Sequence, residues 1–161
     1  MVVTNGNKSE VSVGYSTLYG DMCGGFSVVK DIYKSDLYKL SEWRNENLPS
    51  FSAIKAKEVI PKNIITKEPT AELKEDQKDS DSLPPYDVLD KILYLLVEKE
   101  SSIKEIISKG YEPSLVTKVQ NLLYNSEYKR RQAAPGVKIS ERNFGYDRRY
   151  PITNAFRDKE K

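Results

Sequence analysis

The sequence contains no histidine and a single cysteine, Cys23. Without imidazole there is no Ser-His-Asp relay, no imidazole general base and almost no route to a mononuclear zinc site. One thiol excludes an internal disulfide and fits a reducing compartment. Cys23 stands beside Gly24-Gly25 with no flanking Lys or His to activate it, so it reads as a small-residue position and not a nucleophile. No apolar run approaches the length needed to cross a bilayer. Met1 to Glu10 carries no basic stretch followed by an apolar one, so no secretion signal is visible and the expected location is cytoplasmic. The Walker pattern G-x-x-x-x-G-K-[ST] is absent as well. Chemistry in this chain must therefore rest on carboxylates, lysines, hydroxyls and metal ions that prefer oxygen ligands.

What is present is charge. Of 161 residues, 31% are charged against 38% hydrophobic, and the mean hydropathy is −0.63, as for a well-solvated single domain with one core. The net charge of +2 is unevenly spread. Residues 129–161 hold ten Lys/Arg against four Asp/Glu, leaving sixteen against twenty in the first 128. A basic tail on an acidic body suits phosphate-bearing ligands, nucleic acid or self-association.

The front of the chain sets the organisation. Val2-Val3-Thr4 reads as a short buried strand, Asn5-Gly6 as a turn, and Asn7-Lys8-Ser9-Glu10 as a capping box opening a helix. Phe26-Ser27-Val28-Val29 follows a Gly pair as a second strand, and another helix begins after Lys34-Ser35. Strand, helix, strand, helix is the pattern of a parallel α/β sheet, in which ligands bind beyond the carboxyl ends of the strands. Asn5, Glu10, Asp21 and Lys34 fall in those loops or first turns, so one polar cluster on one edge is expected.

Further along, Ser35 is expected to cap a helix running to about Asn45, with Leu37, Leu40 and Trp43 packing inward and Pro49 ending it. A short helix is expected near Lys62–Ile65. Residues 68–85, with KEDQKDSDS bounded by Pro84-Pro85, read as a flexible connecting or substrate loop. Three helices follow. Tyr86, Leu89, Ile92, Leu93, Leu96 and Val97 form one apolar stripe. Ser102-Ile103-Lys104-Glu105 is a second capping box, with Gly110 as the stop. Pro113 opens the third helix, with Leu115, Val119, Leu122 and Leu123 on one face and Lys129-Arg130-Arg131 at its far end, where cations complement the helix dipole. Residues 133–161 read as an irregular basic tail.

Only two strands emerge, and a two-stranded parallel sheet is marginal on its own. The expected class is thus an incomplete α/β parallel-sheet domain with a helical C-terminal half, some of whose sheet comes from another copy or from a separate N-terminal half.

The stretch TNGNKSEVSVGYSTLYGDMCGGFSVVKD, followed in order by EPTAELKEDQKDSDSLPPYDVLD, NSEYKRRQ and FGYDRRYPITN, resembles the C-terminal part of the synthetase domain of bacterial glutamine-dependent NAD synthetases. The resemblance implies a nucleotide-binding domain of the ATP-pyrophosphatase, or adenine nucleotide alpha-hydrolase-like, type with its N-terminal strands missing. The SGG-x-DS phosphate loop of that family and its glutaminase domain are not in this sequence. It also implies the reaction: ATP adenylates the nicotinate carboxylate of deamido-NAD, and ammonia derived from glutamine displaces AMP to give NAD. ATP and Mg²⁺ are the implied ligands besides deamido-NAD. The implied partners are the missing half-domain and glutaminase domain on another chain, together with a second copy as a homodimer, and the lone chain is expected to be inactive.

By the same resemblance, Glu10 contacts deamido-NAD and the Mg²⁺ ion, while Asp21 lies near the nicotinate and accepts the ammonium proton. Asn5, Lys34 and Thr70 match ATP-binding positions, and Tyr128 and Lys129 match deamido-NAD contacts. Asn5 stands where the family usually has Thr, which keeps hydrogen-bonding capacity but changes reach. Each has a plainer reading: Glu10 as N3 of a capping box, Asp21 as a turn residue, Lys34 and Lys129 as solvated lysines, Thr70 as a loop hydroxyl. A different class of function, a binding protein engaging nucleic acid through the tail, would use Tyr128, Phe144, Tyr146 and Tyr150 among the charges. The acidic body and the lack of any nucleic-acid module weigh against it.

Overall fold

The computed structural model describes residues 1–67, 69 and 82–159. Among them two strands and seven helices follow one another: β1 (Val3–Thr4), α1 (Lys8–Val13), β2 (Phe26–Ser27), α2 (Lys34–Glu46), α3 (Lys62–Thr66), α4 (Tyr86–Val97), α5 (Ile103–Ser108), α6 (Pro113–Asn125) and α7 (Glu127–Arg130). The strands pair in parallel, Val3 against Phe26 and Thr4 against Ser27. A third segment extends this ribbon: Ser27 N–H donates to the Pro135 carbonyl at 2.8 Å, and Ser27 bridges Gly136 in parallel. Gly136 is required there, because a Cβ would lie 2.2 Å from the Ser27 carbonyl oxygen.

The core lies on the helical side. Leu89, Ile92, Leu93 and Val97 of α4 are fully buried, against Val116, Val119 and Leu123 of α6 and Ile103 and Ile106 of α5. α4 touches α1, α2 and α6, and α6 in turn packs against α1, α4, α5 and α7. Both capping boxes form: the Asn7 side chain accepts from Glu10 N–H and that of Ser102 from Glu105 N–H, each returned by the glutamate. Pro113 occupies the first turn of α6, with Glu112 as its cap.

Several expectations are corrected. Val3 is 51% exposed and Val2 is also exposed, so β1 buries only Thr4. No residue of α2 is buried, and Leu40 and Trp43 are 46% and 48% exposed, because α1, α3 and α4 cover only one side of that helix. Ser35 does not cap α2, which starts at Lys34. On α6 the deepest residue sequence reading omitted is Val116, which shares a face with Val119 and Leu123, while Leu115 and Leu122 are only partly buried. No helix among the described residues is long and apolar enough to cross a membrane.

Candidate functional site

Two loops meet where the chain leaves the carboxyl ends of β1 and β2. The first runs through Asn5-Gly6-Asn7 into α1, the second through residues 28–33 into α2. They are clamped together by Lys8 N–H donating to the Ile32 carbonyl at 2.8 Å. Each of the three residues opening α1 then adds a side-chain contact to the second segment.

Glu10 and Lys34 form the outermost of these contacts. Lys34 Nζ lies 2.9 Å from Glu10 Oε1, and both side chains are 18% exposed. The ammonium also faces the rings of Tyr86 and Tyr38, at 5.5 and 5.9 Å from their centroids. The second carboxylate oxygen, Oε2, accepts from Asn7 N–H at 3.2 Å, the return bond of the capping box. A carboxylate and an ammonium held side by side at a loop junction can bind a cation and an anion respectively once they part.

Behind this pair, the Ser9 hydroxyl donates to Asp90 and accepts from Lys34 N–H at 2.8 Å. Asp90 in turn accepts from Ser35 N–H at 2.8 Å, and burial pushes its carboxyl above the usual carboxylate range.

Deeper still lies Lys8, whose side chain is 0% exposed. Its ammonium contacts Glu98 and lies 3.1 Å from Asp31 Oδ1, and it donates to Ser140 Oγ and the Arg142 carbonyl at 2.6 and 2.8 Å. Burial alone would raise the Asp31 carboxyl, but hydrogen bonds from the Ser140 and Ile139 amides and the Ser140 hydroxyl, with the Lys8 charge, hold it below its ordinary value. Burial and the neighbouring carboxylates Glu98, Asp90 and Asp31 push the Tyr33 hydroxyl up. This network was not legible in sequence, since no spacing rule joins residues 8, 31 and 98. The one signal was Asp90, an acid set inside the apolar stripe of α4.

The remaining predicted site residues are placed as follows. Asn5 is exposed, directly after β1. Asp21 is exposed and accepts from Thr17 N–H at 2.6 Å, closing the 17–21 turn. Tyr128 is exposed at the start of α7. Lys129 donates to the carbonyls of Gly14 and Ser16, both at 2.6 Å, just past the end of α1. Thr70 lies outside the described residues. Arg130 is buried. It donates to the Ser12 and Leu123 carbonyls at 2.7 and 2.6 Å and pairs with Glu127 at 2.9 Å. Burial lowers its guanidinium to about 10, opposed by Glu127. Lys129 and Arg130 thus serve the C-terminal end of α1, which has no basic residue in its last turn, while Arg131 pairs with Glu127 and donates to the Tyr150 carbonyl.

Of the four aromatic residues that would serve nucleic acid, Phe144 and Tyr150 are engaged in the fold, whereas Tyr128 and Tyr146 are exposed. Phe144 is buried beneath Arg130, and Tyr150 stacks on Tyr124 at 5.5 Å with Arg148 at 4.1 Å.

Among the described residues no group of three acidic or cysteine side chains gathers to cage a metal ion. Glu10 is instead a single carboxylate. That donor set fits Mg²⁺, which keeps several waters and is commonly bound by one or two carboxylates together with substrate phosphates.

Comparison with known proteins gives a consistent result. The NAD synthase family matches residues 1–133. The glutamine-dependent NAD(+) synthetase of Thermotoga maritima is 51% identical over 158 residues, 98% of this chain and 26% of the relative. That of Xylella fastidiosa is 52% identical over 157 residues, again 98% of this chain, and 28% of the relative. A crystal structure of a glutamine-dependent NAD(+) synthetase from Cytophaga hutchinsonii shares the fold with a TM-score of 0.69 at 23% identity, over 95% of this chain and 24% of that one. The chain spans about a quarter of the length of the curated relatives it matches.

Proposed function

The chain belongs to the NAD synthase family, and we propose that it forms the back portion of an NAD synthetase active site, of the ATP-pyrophosphatase type, completed by polypeptide outside these 161 residues. On this reading the protein serves NAD biosynthesis: ATP adenylates deamido-NAD, and ammonia converts the acyl-adenylate to NAD and AMP. The observation that carries the reading is the Glu10–Lys34 pair, poised where two parallel strands deliver their loops.

Each residue has a part the chemistry needs. Charge builds on the departing pyrophosphate during adenylation, and a positioned ammonium stabilises it; Lys34 is that ammonium. Glu10 would hold the Mg²⁺ ion, which when bound neutralises phosphate oxygens. Asn5, one residue past β1, hydrogen-bonds the nucleotide. Asp21 takes the proton from the incoming ammonia nitrogen, for which its exposure is suitable. Tyr128 and Lys129 serve the dinucleotide and Thr70 the phosphates.

The test is NAD formation from deamido-NAD, ATP, Mg²⁺ and ammonia. The chain mixed with the preceding part of a relative's synthetase domain is expected to turn over, and the chain alone is not. Robust turnover by the chain alone would overturn the claim that the site is shared.

A further inference from the structure

Residues 8, 9 and 10 each reach across to the segment 31–34, and they do so at three depths. Lys8 meets Asp31 with neither side chain exposed. Ser9 receives the Lys34 amide. Glu10 meets the Lys34 side chain nearer the surface. The charges are arranged in opposite senses, cation to anion below and anion to cation above. The lower pair is further locked by Glu98 at the end of α4, by Ser140 and by the Arg142 carbonyl, and it sits between the rings of Tyr33 and Phe144 at 5.1 and 5.9 Å.

We infer that Lys8 is a positioning residue, holding the loops of Glu10 and Lys34 in register so that the upper pair can open toward a ligand while the lower pair stays shut. The inference deepens the proposed function and rests on it for the identity of that ligand. Its physical basis is independent of it. The upper pair, with each side chain 18% exposed, can regain solvent or a ligand when it parts, whereas separating Lys8 from Asp31 and Glu98 strands charges that water does not reach. The two pairs therefore have different tasks although the same two segments carry them. Lys8 touches no ligand in this scheme and acts only through the placement of Glu10 and Lys34. It also couples the tail to the site, because Ile139 and Ser140 amides bind Asp31 and the Arg142 amide binds Glu98 at 2.8 Å.

The experiment is residue-resolved amide hydrogen exchange on the full chain. A single Lys8→Met variant leaves two carboxylates facing each other, so the informative protein is Lys8→Met/Asp31→Asn/Glu98→Gln, which removes all three charges while keeping the volumes; its methionine suits the two aromatic rings. Protection at the amides of Lys34 and Ser35 is expected to fall at least about tenfold in this variant, while Leu93 and Leu123 amides change by less than about twofold. Unchanged protection at Lys34 would overturn the inference, as would a uniform fall that includes the core. A parallel titration with Mg·ATP separates the two claims. Wild-type binding that weakens at least about tenfold in the variant supports both. Absence of wild-type binding counts against the proposed function, and the exchange data still decide the role of Lys8.

Discussion

Asp90, on α4, accepts the backbone N–H of Ser35, 55 residues earlier in the chain, at 2.8 Å, and so caps α2 in its first turn. α2 has no side-chain cap of its own, since Tyr33 occupies that position. With Ser9 bridging Asp90 and the Lys34 amide, the start of α2 is fixed by two other helices. Lys34 thereby starts from a rigid position. Asp90→Ala is expected to destabilise the protein by about 1–3 kcal/mol, the cost of leaving buried donors unpaired. Asp90→Asn keeps an acceptor and is expected to cost less than about 1 kcal/mol. Urea unfolding followed by circular dichroism measures both, and equal losses would contradict the capping role.

Arg130 and Arg131 are adjacent, and their expected contributions differ sharply. Arg130 is buried and closes the Ser12 and Leu123 carbonyls, whereas Arg131 shares Glu127 from the surface. Arg130→Met is expected to cost about 3–5 kcal/mol, because the α1 end loses its cation and Glu127 its buried partner. Arg131→Met should stay within about 1 kcal/mol. The same unfolding measurement distinguishes them, and comparable losses would contradict this account of the triplet.

The two buried carboxylates titrate in opposite senses. Asp31 is held below 3.8, so it stabilises the fold above that pH and the benefit is lost as pH falls through its lower native value. Asp90 is raised above 3.8, so the native state takes up its proton first and stability declines as pH rises through that native value. The advantage of wild type over Asp31→Asn should shrink as pH is taken from about 7 to below about 3. The difference between wild type and Asp90→Asn should move the other way, favouring the variant as pH rises above 3.8. Unfolding midpoints across that range check both, and parallel pH curves for all three proteins would contradict the assignment.

Local rules recovered much of this fold. The capping boxes at Asn7 and Ser102, Pro113 at the start of α6 and the stripe on α4 all depend on neighbours within one or two turns, and they appear at the expected places. The strand at Val3 was legible as a strand but not in its exposure, which depends on what packs across the sheet. Likewise Leu40 and Trp43 have helical spacing, yet periodicity reports a helix and not which side is covered. At the site, the sequence points to one polar cluster of Asn5, Glu10, Asp21 and Lys34; the structure pairs Glu10 with Lys34, while Asp21 closes its own turn on Thr17 and Asn5 is exposed. The buried charges behind them were invisible, because Lys8, Asp31 and Glu98 meet only through tertiary packing.

The central claim is that the Glu10–Lys34 pair opens onto a magnesium nucleotide. Titration of Mg·ATP into the isotopically labelled full chain, followed by nuclear magnetic resonance, addresses it directly. The expected result is that shifts appear first at Asn5, Glu10 and Lys34, and that Lys34→Met abolishes them while the core resonances of α4 and α6 stay in place. Shifts confined to other surfaces, or an undiminished response in Lys34→Met, would contradict it.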